Sequence, residues 1–596
     1  MALIVQKFGG TSVATPDKIR TAAEKAIRAQ QAGNQVVVVV SAMGKNTDTL
    51  VDLAGQVNAQ PSAREMDMLL ATGEQVSVAL MAMAIDALGY QAVSLTGAQI
   101  GIRTDSSHTK ARIISISTER LQSLLDAGNI VIAAGFQGID EQLDITTLGR
   151  GGSDTTAVAL AAVLGASSCE IYTDVDGVFT TDPRQLEEAR RIDQISYDEM
   201  LELASLGAGV MHNRSIEFAK KYSVPIHVRN SGNENPGTLI TLEGSQESVA
   251  VRGAALSTHD ARITLVGVPD VPGTSLEIFS RIADRQITVD MIVQNVGEEG
   301  KSDLSFTVPR AELDVALSVI DEASQALQAA AVLHDDGVAK VSVVGLGMIQ
   351  QTGVATKMFR ALAAANVNIQ MITTSEIKIS TLVSQEQAKL ALTAVHQAFQ
   401  LDQPPAALDT ERALLTQPPR AQSEVADIVD RLHKVGMEEL VIDDITLDES
   451  QARITIQGIP DTAGIAAAIF EEVATSGVLV DMIIQSFDGA EGLASVSFTI
   501  PQSQYDQGLK VAELICERSN CQGTSNSPQV AKLSVSGTGL RSHTGVAIRT
   551  FRALADSGIN VEMISTSEVR VNVVVHGQHG TQVLLQLQEA FQDVLR

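Results

Sequence analysis

A lysine followed by two glycines opens the chain in a pattern that could bind a phosphoryl group. Residues 7–12 read Lys-Phe-Gly-Gly-Thr-Ser, after an apolar stretch typical of a β-strand and before a helix predicted to begin near Pro16. Glycines let backbone N–H groups approach a phosphate, and Lys7 can neutralise charge that develops during phosphoryl transfer. Because the lysine precedes the glycines, this is not a P-loop. Taken alone, a Gly-Gly pair after a strand is more often a tight turn.

A second glycine-rich motif lies directly before an alanine-rich segment predicted to be helical. Residues 149–156 read Gly-Arg-Gly-Gly-Ser-Asp-Thr-Thr, and a helix N-terminus with glycines is a suitable anion site. Ser153 or Asp154 could instead simply cap the helix. Capping does not explain an arginine among three glycines, and Arg150 is suited to a bidentate grip on a carboxylate.

An acidic loop and two short turns complete the polar motifs. Residues 172–184 read Tyr-Thr-Asp-Val-Asp-Gly-Val-Phe-Thr-Thr-Asp-Pro-Arg, with a spacing that does not fit an EF-hand calcium loop. Its Asp-Pro-Arg end predicts a rigid turn that presents Arg184. Thr-Gly-Glu at 72–74 and Ser-Ala-Met-Gly at 41–44 each lie at a turn beside an apolar segment. A lone Glu74 at the start of a helix would ordinarily be explained by the helix dipole.

The elements that must position these motifs alternate between strand and helix in the first half of the chain. Strands are predicted over 3–8, 35–40, 92–95, 130–134, 170–173 and 225–228, and helices over 17–32, 64–88, 109–127 and 154–164. The unbroken valine run at 36–40 suits a strand buried on both faces of a largely parallel sheet. The alternation predicts helices packed on both sides of an open sheet.

The second half of the chain is a repeat. Residues 261–264 and 289–294 recur at 452–455 and 480–485 with an offset of 191 (452 − 261 and 480 − 289), and 359–363 recur at 551–555 after one insertion. Each of the two repeated segments, which we call cassettes, also contains an internal repeat, because 287–292 and 367–372 occupy similar places after a helix. The pattern predicts four β-α-β modules. A proline-rich stretch at 401–422 separates the cassettes as a linker.

Composition narrows the class of protein. A formal net charge of −28 over 596 residues argues against general nucleic-acid or membrane binding. The three cysteines are too few and too scattered for a disulfide framework or a zinc site, the N-terminus lacks the core of a signal peptide, and no stretch approaches the length of an apolar membrane helix. We therefore expect a cytoplasmic location.

Together and in this order, the motifs at 7–12, 149–156 and 172–184 resemble the amino-acid kinase family, and within it the aspartate kinases, over nearly the whole chain. The two cassettes resemble ACT domains, in the duplicated form found in cyanobacterial aspartate kinases. The resemblance implies a three-layer α/β/α kinase domain with an open, mostly parallel sheet, followed by four ferredoxin-like α+β modules. The expected boundaries are 1–248 for the kinase domain, 249–400 and 426–596 for the two ACT pairs, and 401–425 for the linker.

The resemblance also implies a reaction, in which ATP phosphorylates L-aspartate to 4-phospho-L-aspartate with the help of Mg²⁺. Lys7 would stabilise the transferring group, with Gly9 and Gly10 donating backbone N–H bonds and Asp154 organising the lysine and the metal-bound phosphates. Arg150 would clasp the α-carboxylate of aspartate, and Ser41, Thr47, Glu74 and Ser153 would position its other groups. The nucleotide site would comprise Lys7, Phe8, Gly9, Gly10, Thr173, Asp174, Phe179 and Arg184. No protein ligand to a metal is assigned. His212 and His227 are predicted to be structural.

For the second half, the resemblance implies feedback inhibition by lysine, threonine or both, in a pathway to lysine, threonine and methionine. A homodimer through the ACT domains is expected. The implied effector-binding residues are Asp270, Val289, Asp290, Gln294, Val354, Ala355, Asn368, Ile369, Ser375, Glu376, Asp461, Val480, Asp481, Gln485, Asn560 and Val561. The same residues could instead be polar ends of core strands.

Three other functions remain as alternatives: another amino-acid kinase, an amino-acid sensor with an inactive kinase half, and a dinucleotide-binding dehydrogenase. The other amino-acid kinase could itself be ACT-regulated, whereas a glutamate 5-kinase would not be expected to combine Gly-Arg-Gly-Gly-Ser-Asp with an ACT tail. Intact Lys7, Arg150 and Asp154 argue against a decayed kinase. The dehydrogenase lacks support because no G-x-G-x-x-G follows the first strand. Residues 401–596 are accounted for by the linker and second cassette, which excludes a fused homoserine dehydrogenase.

Overall fold

A computed structural model describes residues 1–207, 210–244, 249–296, 300–351, 353–404, 437–438, 440–487, 492–540 and 545–596. From residue 405 onward, the linker predicted over 401–425 lies outside the described residues. The domain boundaries expected from the sequence stay predictions.

The N-terminal half folds into alternating strands and helices. Its strands are β1 (Leu3–Phe8), β2 (Gln35–Val40), β3 (Ala92–Leu95), β4 (Ile102–Thr104), β5 (Ile113–Ile116), β6 (Ile130–Ala134), β7 (Gln137–Ile139), β8 (Ile145–Thr147), β9 (Ser168–Thr173), β10 (Gln194–Ser196), β11 (Ile226–Asn230) and β12 (Thr238–Thr241). Its helices are α1 (Pro16–Gln31), α2 (Asn46–Val57), α3 (Ala63–Leu70), α4 (Thr72–Ala87), α5 (Gly97–Ile100), α6 (Glu119–Asp126), α7 (Gly152–Val163), α8 (Tyr197–Ser205) and α9 (Asn213–Lys221).

One eight-stranded sheet, in the order β10-β12-β11-β9-β1-β2-β6-β3, forms the centre of this half, and all its neighbours are parallel except β11 and β12. Alternate valines of β2 serve opposite cores: Val37 and Val39 pack with α7, and Val36, Val38 and Val40 pack with α1 and α4. A strand that is buried on both faces needs helices on both sides. The predicted three-layer α/β/α fold is confirmed.

Two predicted helices are wrong in detail. The stretch predicted over 109–127 contains strand β5 and only the short helix α6, because the isoleucine-rich segment Ile113–Ile116 pairs antiparallel with β4 and β-branched isoleucine favours strands. The helix predicted over 64–88 is interrupted at Ala71. A Cβ on Gly73, just after this break, would lie 2.8 Å from the Cβ of Ala42, so the start of α4 is pressed against the end of β2.

The stretch 63–87, taken as one helix, is the single candidate in the described part of the chain that could cross a membrane by length and composition, contrary to the expectation from the sequence. Its α4 portion packs against β3 and β6, with Met81 and Ile85 fully buried. A core helix can reach the same length and apolarity, and here α4 is part of the core.

The second half contains the repeated modules. Its strands are β13 (Gly253–Ser257), β14 (Asp260–Pro269), β15 (Asp290–Val296), β16 (Lys301–Pro309), β17 (Ala331–Asp335), β18 (Val338–Val344), β19 (Met371–Thr374), β20 (Lys378–Ser384), β21 (Val441–Pro460), β22 (Ile483–Phe487), β23 (Leu493–Pro501), β24 (Gly523–Thr538), β25 (Met563–Thr566) and β26 (Arg570–His576). Its helices are α10 (Thr274–Asp284), α11 (Leu313–Leu327), α12 (Val354–Ala364), α13 (Ala388–Ala398), α14 (Ile465–Thr475), α15 (Tyr505–Ser519), α16 (Gly545–Asp556) and α17 (Gly580–Ala590).

These elements form four modules. Module 1 is the sheet β15-β16-β14-β17 with α10 and α11, and module 2 is β13-β18-β20-β19 with α12 and α13. Modules 3 and 4 share the long strands β21 and β24: module 3 adds β22, β23, α14 and α15, and module 4 adds β25, β26, α16 and α17. The four predicted α+β modules are confirmed.

The two cassettes pair with each other inside the one chain. Strand β19 of module 2 pairs antiparallel with β22 of module 3, and α12 packs on α14. In the same way β15 of module 1 lies against β25 of module 4, and α10 packs on α16. One buried methionine from each module, Met291, Met371, Met482 and Met563, lies in the apolar cluster between the two pairs. The module pairs are therefore complete within a single chain.

Cys516 and Cys521 are joined by a disulfide between the end of α15 and the residues before β24, with their Cα atoms 4.9 Å apart. The sequence had not indicated this bond. The third cysteine, Cys169, is free and buried.

Candidate active site

An ion pair joins the first two motifs. Lys7 lies near the carboxyl end of β1 and Asp154 in the first turn of α7, and Lys7 Nζ is 2.5 Å from Asp154 Oδ1. Both side chains are about nine-tenths buried. Parallel strands align their carboxyl ends at one edge of the sheet, which is the usual ligand site of open α/β sheets. The pair places a cation at a helix N-terminus, a position suited to a phosphate.

The glycine turn after β1 is closed by backbone contacts. A Cβ on Gly10 would lie 2.8 Å from the carbonyl oxygen of Ala42, so only glycine fits there. The N–H of Gly9 donates to the carbonyl of Tyr172 at 3.2 Å. The predicted donation of Gly9 to the phosphoryl group is therefore not supported, because that donor is already used, and Gly10 remains the candidate donor.

Glu74 lies in the first turn of α4 behind the same turn. Its Oε1 accepts the N–H of Ala42 at 3.0 Å, and its Oε2 is buried with no hydrogen-bond partner among the described residues. Burial raises the pKa of Glu74 to about 7. A buried carboxylate oxygen without a donor costs free energy, and a ligand ammonium group would satisfy it.

The structure brings three further predicted residues to this edge. Ser41 follows β2 and donates its backbone N–H to the Phe8 carbonyl at 3.2 Å. Thr47 lies half-buried in the first turn of α2. Ser153, buried beside Asp154, is so close to Gly135 that a Cβ there would lie 2.7 Å from its Oγ.

The predicted nucleotide residues of the acidic loop lie at the end of β9, the neighbour of β1, and in the loop that follows this strand. Thr173 ends this strand and donates its hydroxyl to Asp174 at 3.2 Å. The ring of Phe8 stacks on Tyr172 with centroids 4.7 Å apart, and the backbone of Phe179 bridges to Arg191. Arg184 is exposed on its turn, where its backbone N–H donates to Asp182 at 2.9 Å.

A residue that the sequence interpretation missed holds this loop. Asp176 accepts side-chain hydrogen bonds from Asn230, Asn233 and Asn235 at 2.6 to 2.9 Å. These bonds, led by that from Asn233, hold the pKa of Asp176 below its usual range. The three asparagines within six residues were the available signal. They fix the acidic loop to the strand beside it.

Arg150 is in the loop directly before α7. It is exposed between Gly149 and Gly151, whose φ values of 75° and 73° favour glycine. His212 packs on this loop, and a Cβ on Gly151 would lie 2.3 Å from the His212 Cβ. His212 also caps α9 by accepting the N–H of Arg214, and burial lowers its pKa. His227 bonds to the Pro236 carbonyl at 2.5 Å. Both histidines thus have structural contacts.

The predicted effector residues form two matching sets between paired modules. Asn560 donates to Asp270 at 2.8 Å and Gln294 to the Val561 carbonyl at 3.4 Å. In the other pair, Asn368 donates to Asp461 and Gln485 to the Ile369 carbonyl, both at 2.9 Å. A small cavity lies beside each set. The two sequence repeats therefore form equivalent sets of hydrogen bonds at the two module interfaces.

The other predicted effector residues lie nearby in the modules. Asp290 pairs with Lys340 at 2.5 Å, and its copy Asp481 pairs with Lys532. Glu376 pairs with Arg570, next to Ser375 at the end of β19. The remaining predicted residues are at module interfaces or helix starts: Val289, Val354, Ala355 and Val480.

Comparison with known proteins gives matching results for both halves. The amino acid kinase family matches residues 2–230, and the ACT domain matches residues 262–327, 341–399 and 533–591. Aspartokinase 2 of Bacillus subtilis (strain 168) is 53% identical over 409 residues, which are 68% of this chain and 100% of that protein.

Solved structures are similar as well. The aspartate kinase from Synechocystis is 40% identical with a TM-score of 0.52, covering 99% of this chain and 98% of that one. E. coli aspartokinase III, 27% identical, has been solved with aspartate and ADP (TM-score 0.58; 66% of this chain and 99% of that one) and with lysine and aspartate (TM-score 0.53; 67% and 99%).

Proposed function

The chain belongs to the amino acid kinase family as an aspartate kinase with ACT domains, and from this premise we propose that it transfers the γ-phosphoryl group of ATP to the β-carboxylate of L-aspartate. The observation that carries the proposal is the buried Oε2 of Glu74, which has no hydrogen-bond partner among the described residues. It provides a site for an amino acid's ammonium group directly behind the glycine turn that follows Lys7.

In this mechanism Lys7 stabilises negative charge on the transferring group, and Asp154 holds the lysine in place. Gly10 donates its backbone N–H to the phosphate. The acceptor carboxylate is already ionised at neutral pH, so it needs no general base. This agrees with the structural contacts of His212 and His227. Catalysis then rests on positioning and charge neutralisation, as in other phosphoryl transfers. Thr173, Asp174, Phe179 and Arg184 are proposed to bind the nucleotide.

We expect Mg²⁺ to accompany ATP. Protein sites hold Mg²⁺ through one or two carboxylates together with substrate phosphates. Asp154 fits this role, since it is a buried carboxylate at the phosphate end of α7. The ion would neutralise phosphate charge beside Lys7.

We predict that kcat/KM for aspartate rises about tenfold from pH 6 to pH 8. Only ionised Glu74 can pair with the substrate ammonium, and its pKa of about 7 in the free enzyme places the transition in this range. The pH dependence of folding stability has the opposite sign. Because the folded-state pKa of Glu74 is raised, its protonated form favours folding at low pH, and this contribution is lost as the pH rises through about 7. Kinetics across this range for Glu74→Gln should be flat in pH. The exposed Glu119→Gln serves as the control, and a wild-type rise in Glu74→Gln would contradict the assignment.

Arg150→Ala should raise KM for aspartate by about ten- to a hundredfold, because one charge-assisted bidentate contact is lost. KM for ATP should change little. Coupled measurement of ADP release at varied aspartate tests this, with the exposed Arg120→Ala as the control. An unchanged KM for aspartate would remove Arg150 from the substrate site, and absence of aspartate-dependent ADP release by the wild type would refute the proposed reaction.

We further propose that lysine, threonine or both inhibit the enzyme at the paired modules, as feedback from a pathway to lysine, threonine and methionine. E. coli aspartokinase III has been solved with lysine. The two Asp-Asn-Gln sets supply carboxylate and amide groups that can hold an ammonium and a carboxylate. Inhibition would follow if effectors favour one arrangement of modules and kinase domain over another.

Asp270→Asn and Asp461→Asn should each weaken inhibition by one effector about tenfold, because each removes a charge from one set. Inhibition curves for lysine and threonine, alone and together, measure this. Asp314→Asn, exposed on α11, should behave as wild type. Flat curves for both amino acids in the wild type would contradict the regulatory proposal.

Two expectations from the sequence stay proposals. One is a homodimer: the module edges are already paired within the chain, so we propose that a second copy uses another surface. The other is a cytoplasmic location, which cell fractionation would test.

A further inference from the structure

Three side chains that can bind a metal ion meet beside the four-stranded sheet β5-β4-β7-β8 of the kinase domain. His108 lies in the loop between β4 and β5, and Asp140 and Asp144 lie in the turn between β7 and β8. One possible ligand atom of each side chain lies within 4.8 Å of the other two. We call these three residues the His-Asp-Asp cluster. Within the described ranges, no other group of three histidine, cysteine or acidic side chains could hold an ion in this way.

A buried carboxylate outside the cluster orients the His108 ring. Asp67, on α3, is fully buried, and its Oδ2 lies 2.9 Å from His108 Nδ1. Asp67 also accepts the backbone N–H of Thr109 and the hydroxyl of Thr147, so this carboxylate is held in place as an acceptor. Nδ1 is then the ring nitrogen that donates, and in the neutral ring the lone pair is on Nε2. A metal-binding histidine typically donates its other ring N–H to a carboxylate in this way.

Each aspartate of the cluster has one oxygen in use and one available. Asp140 is only 2% exposed, and its Oδ1 accepts the backbone N–H groups of Gln142 and Asp144 at 3.0 and 2.9 Å. Asp144 Oδ1 accepts a bond from Arg64 Nη2 at 2.6 Å. Both partners of that ion pair are partly exposed, so it contributes little to stability. In the described part of the chain, nothing donates to Oδ2 of either aspartate.

The donor set of the cluster fits a divalent transition metal. Two neighbouring carboxylates repel each other when both are ionised, and a bound cation removes that repulsion. Zn²⁺ accepts both imidazole nitrogen and carboxylate oxygen at about 2.0–2.2 Å, so its ligand atoms lie about 3–4 Å from one another. Small side-chain movements are sufficient to bring the three ligand atoms to that spacing. A site made of oxygen atoms alone would instead suit Mg²⁺ or Ca²⁺.

We propose that the His-Asp-Asp cluster binds one Zn²⁺ ion through His108 Nε2 and one carboxylate oxygen each of Asp140 and Asp144, with water as the fourth ligand. Strands β4 and β7 connect the two antiparallel pairs of this sheet through a single paired position, Arg103 and Ile139. An ion bound by the β4–β5 loop and the β7–β8 turn crosslinks the two pairs, and its binding free energy stabilises the fold. None of the three ligands belongs to the residues assigned to phosphoryl transfer, so the site is independent of the proposed reaction.

The test is the binding of Zn²⁺ to the full chain after a chelator has removed bound metal, in excess Mg²⁺ and without ATP or aspartate. Equilibrium dialysis with elemental analysis gives the stoichiometry, and the visible absorption of bound Co²⁺ reports the coordination number. We expect one Zn²⁺ per chain, four-coordinate Co²⁺, and a melting temperature that rises with Zn²⁺ concentration. His108→Gln and Asp144→Asn should each weaken Zn²⁺ binding by about a hundredfold or more, because the loss of an outer partner alone costs about ten- to a hundredfold.

The matched controls are His334→Gln on β17 and Asp314→Asn on α11, both at exposed residues, and they should bind Zn²⁺ as the wild type does. Because Asp144 is partly exposed, Asp144→Asn should fold, and circular dichroism checks both cluster variants. Two results would overturn the proposal. One is a wild type that binds less than one Zn²⁺ per chain in excess Mg²⁺. The other is a folded Asp144→Asn that binds Zn²⁺ as tightly as wild type, which would place the ion elsewhere. Neither measurement uses ATP or aspartate, so failure here is distinguishable from failure of the kinase reaction.

Discussion

Lys7→Ala should lower kcat for aspartate-dependent ADP release by about a thousandfold, the size of effect seen when a preorganised charge-stabilising group is removed. Lys7 Nζ is the cation at the end of β1, held 2.5 Å from Asp154. Its charge acts on the transition state more than on bound aspartate, so KM for aspartate should change far less than kcat. Initial rates at saturating ATP and aspartate measure the effect.

The control for this experiment is Lys18→Ala. Lys18 is exposed on α1 and its Nζ donates to the Thr11 carbonyl at 2.7 Å, close to the same turn. It should retain nearly wild-type kcat. Thermal melting of Lys7→Ala separates lost chemistry from lost folding, since the change leaves Asp154 buried without its cation. A folded Lys7→Ala that keeps more than about a tenth of wild-type kcat would contradict the mechanism.

Lys378→Met should destabilise the protein by about 3–5 kcal/mol, the cost of leaving a buried carboxylate without its partner. Lys378 Nζ lies 2.9 Å from Glu202 Oε2, and both residues are almost fully buried. Burial alone would lower the pKa of Lys378, but the carboxylates of Glu202, Asp290 and Glu568 hold it above its usual value.

These residues come from three parts of the fold. Glu202 is on α8 of the kinase domain, Lys378 begins β20 in module 2, and Glu568 of module 4 donates its backbone N–H to Glu202 at 3.0 Å. Asn213, at the start of α9, donates to Glu568 at 2.9 Å. Removal of the lysine therefore weakens a junction of the kinase domain with both module pairs, and we expect proteases to cleave the variant between them more readily.

Chemical denaturation compares Lys378→Met with Lys389→Met, a change at an exposed lysine of α13. The control variant should stay within about 0.5 kcal/mol of wild type. The double variant Lys378→Met with Glu202→Leu should regain part of the lost stability, because it also removes the carboxylate that contacts the lysine directly, while Glu568 keeps its hydrogen bond from Asn213. If Lys378→Met unfolds at the same denaturant concentration as wild type, the ion pair does not stabilise the junction.

Local patterns were sufficient for much of the kinase fold and insufficient for part of it. The valine run of β2 predicted a strand buried on both faces, which the two cores confirm. The run Ile113–Ile116 was predicted to be helical because a short apolar segment does not reveal its period. Its strand character depends on β4, a partner that local periodicity does not identify.

The features of the candidate site likewise fall into those that the sequence predicted and those that it did not. The glycines, Lys7, Arg150 and Asp154 were found from motifs because close backbone approach and charge require those residue types. The use of the Gly9 N–H by Tyr172, the asparagines around Asp176 and the packing of His212 on Gly151 were not found. Each is a contact between segments brought together by the sheet.

The sequence by itself determined the alternating kinase fold, the opening motif with Lys7, and the duplicated cassette, because periodicity, glycine requirements and repeats are local properties of a chain. Only the tertiary structure decided which parts meet. It placed Asp270 beside Asn560, 290 positions away, and it paired the two cassettes within one chain. Such contacts depend on how packed elements share their cores, and that is a property of the whole fold.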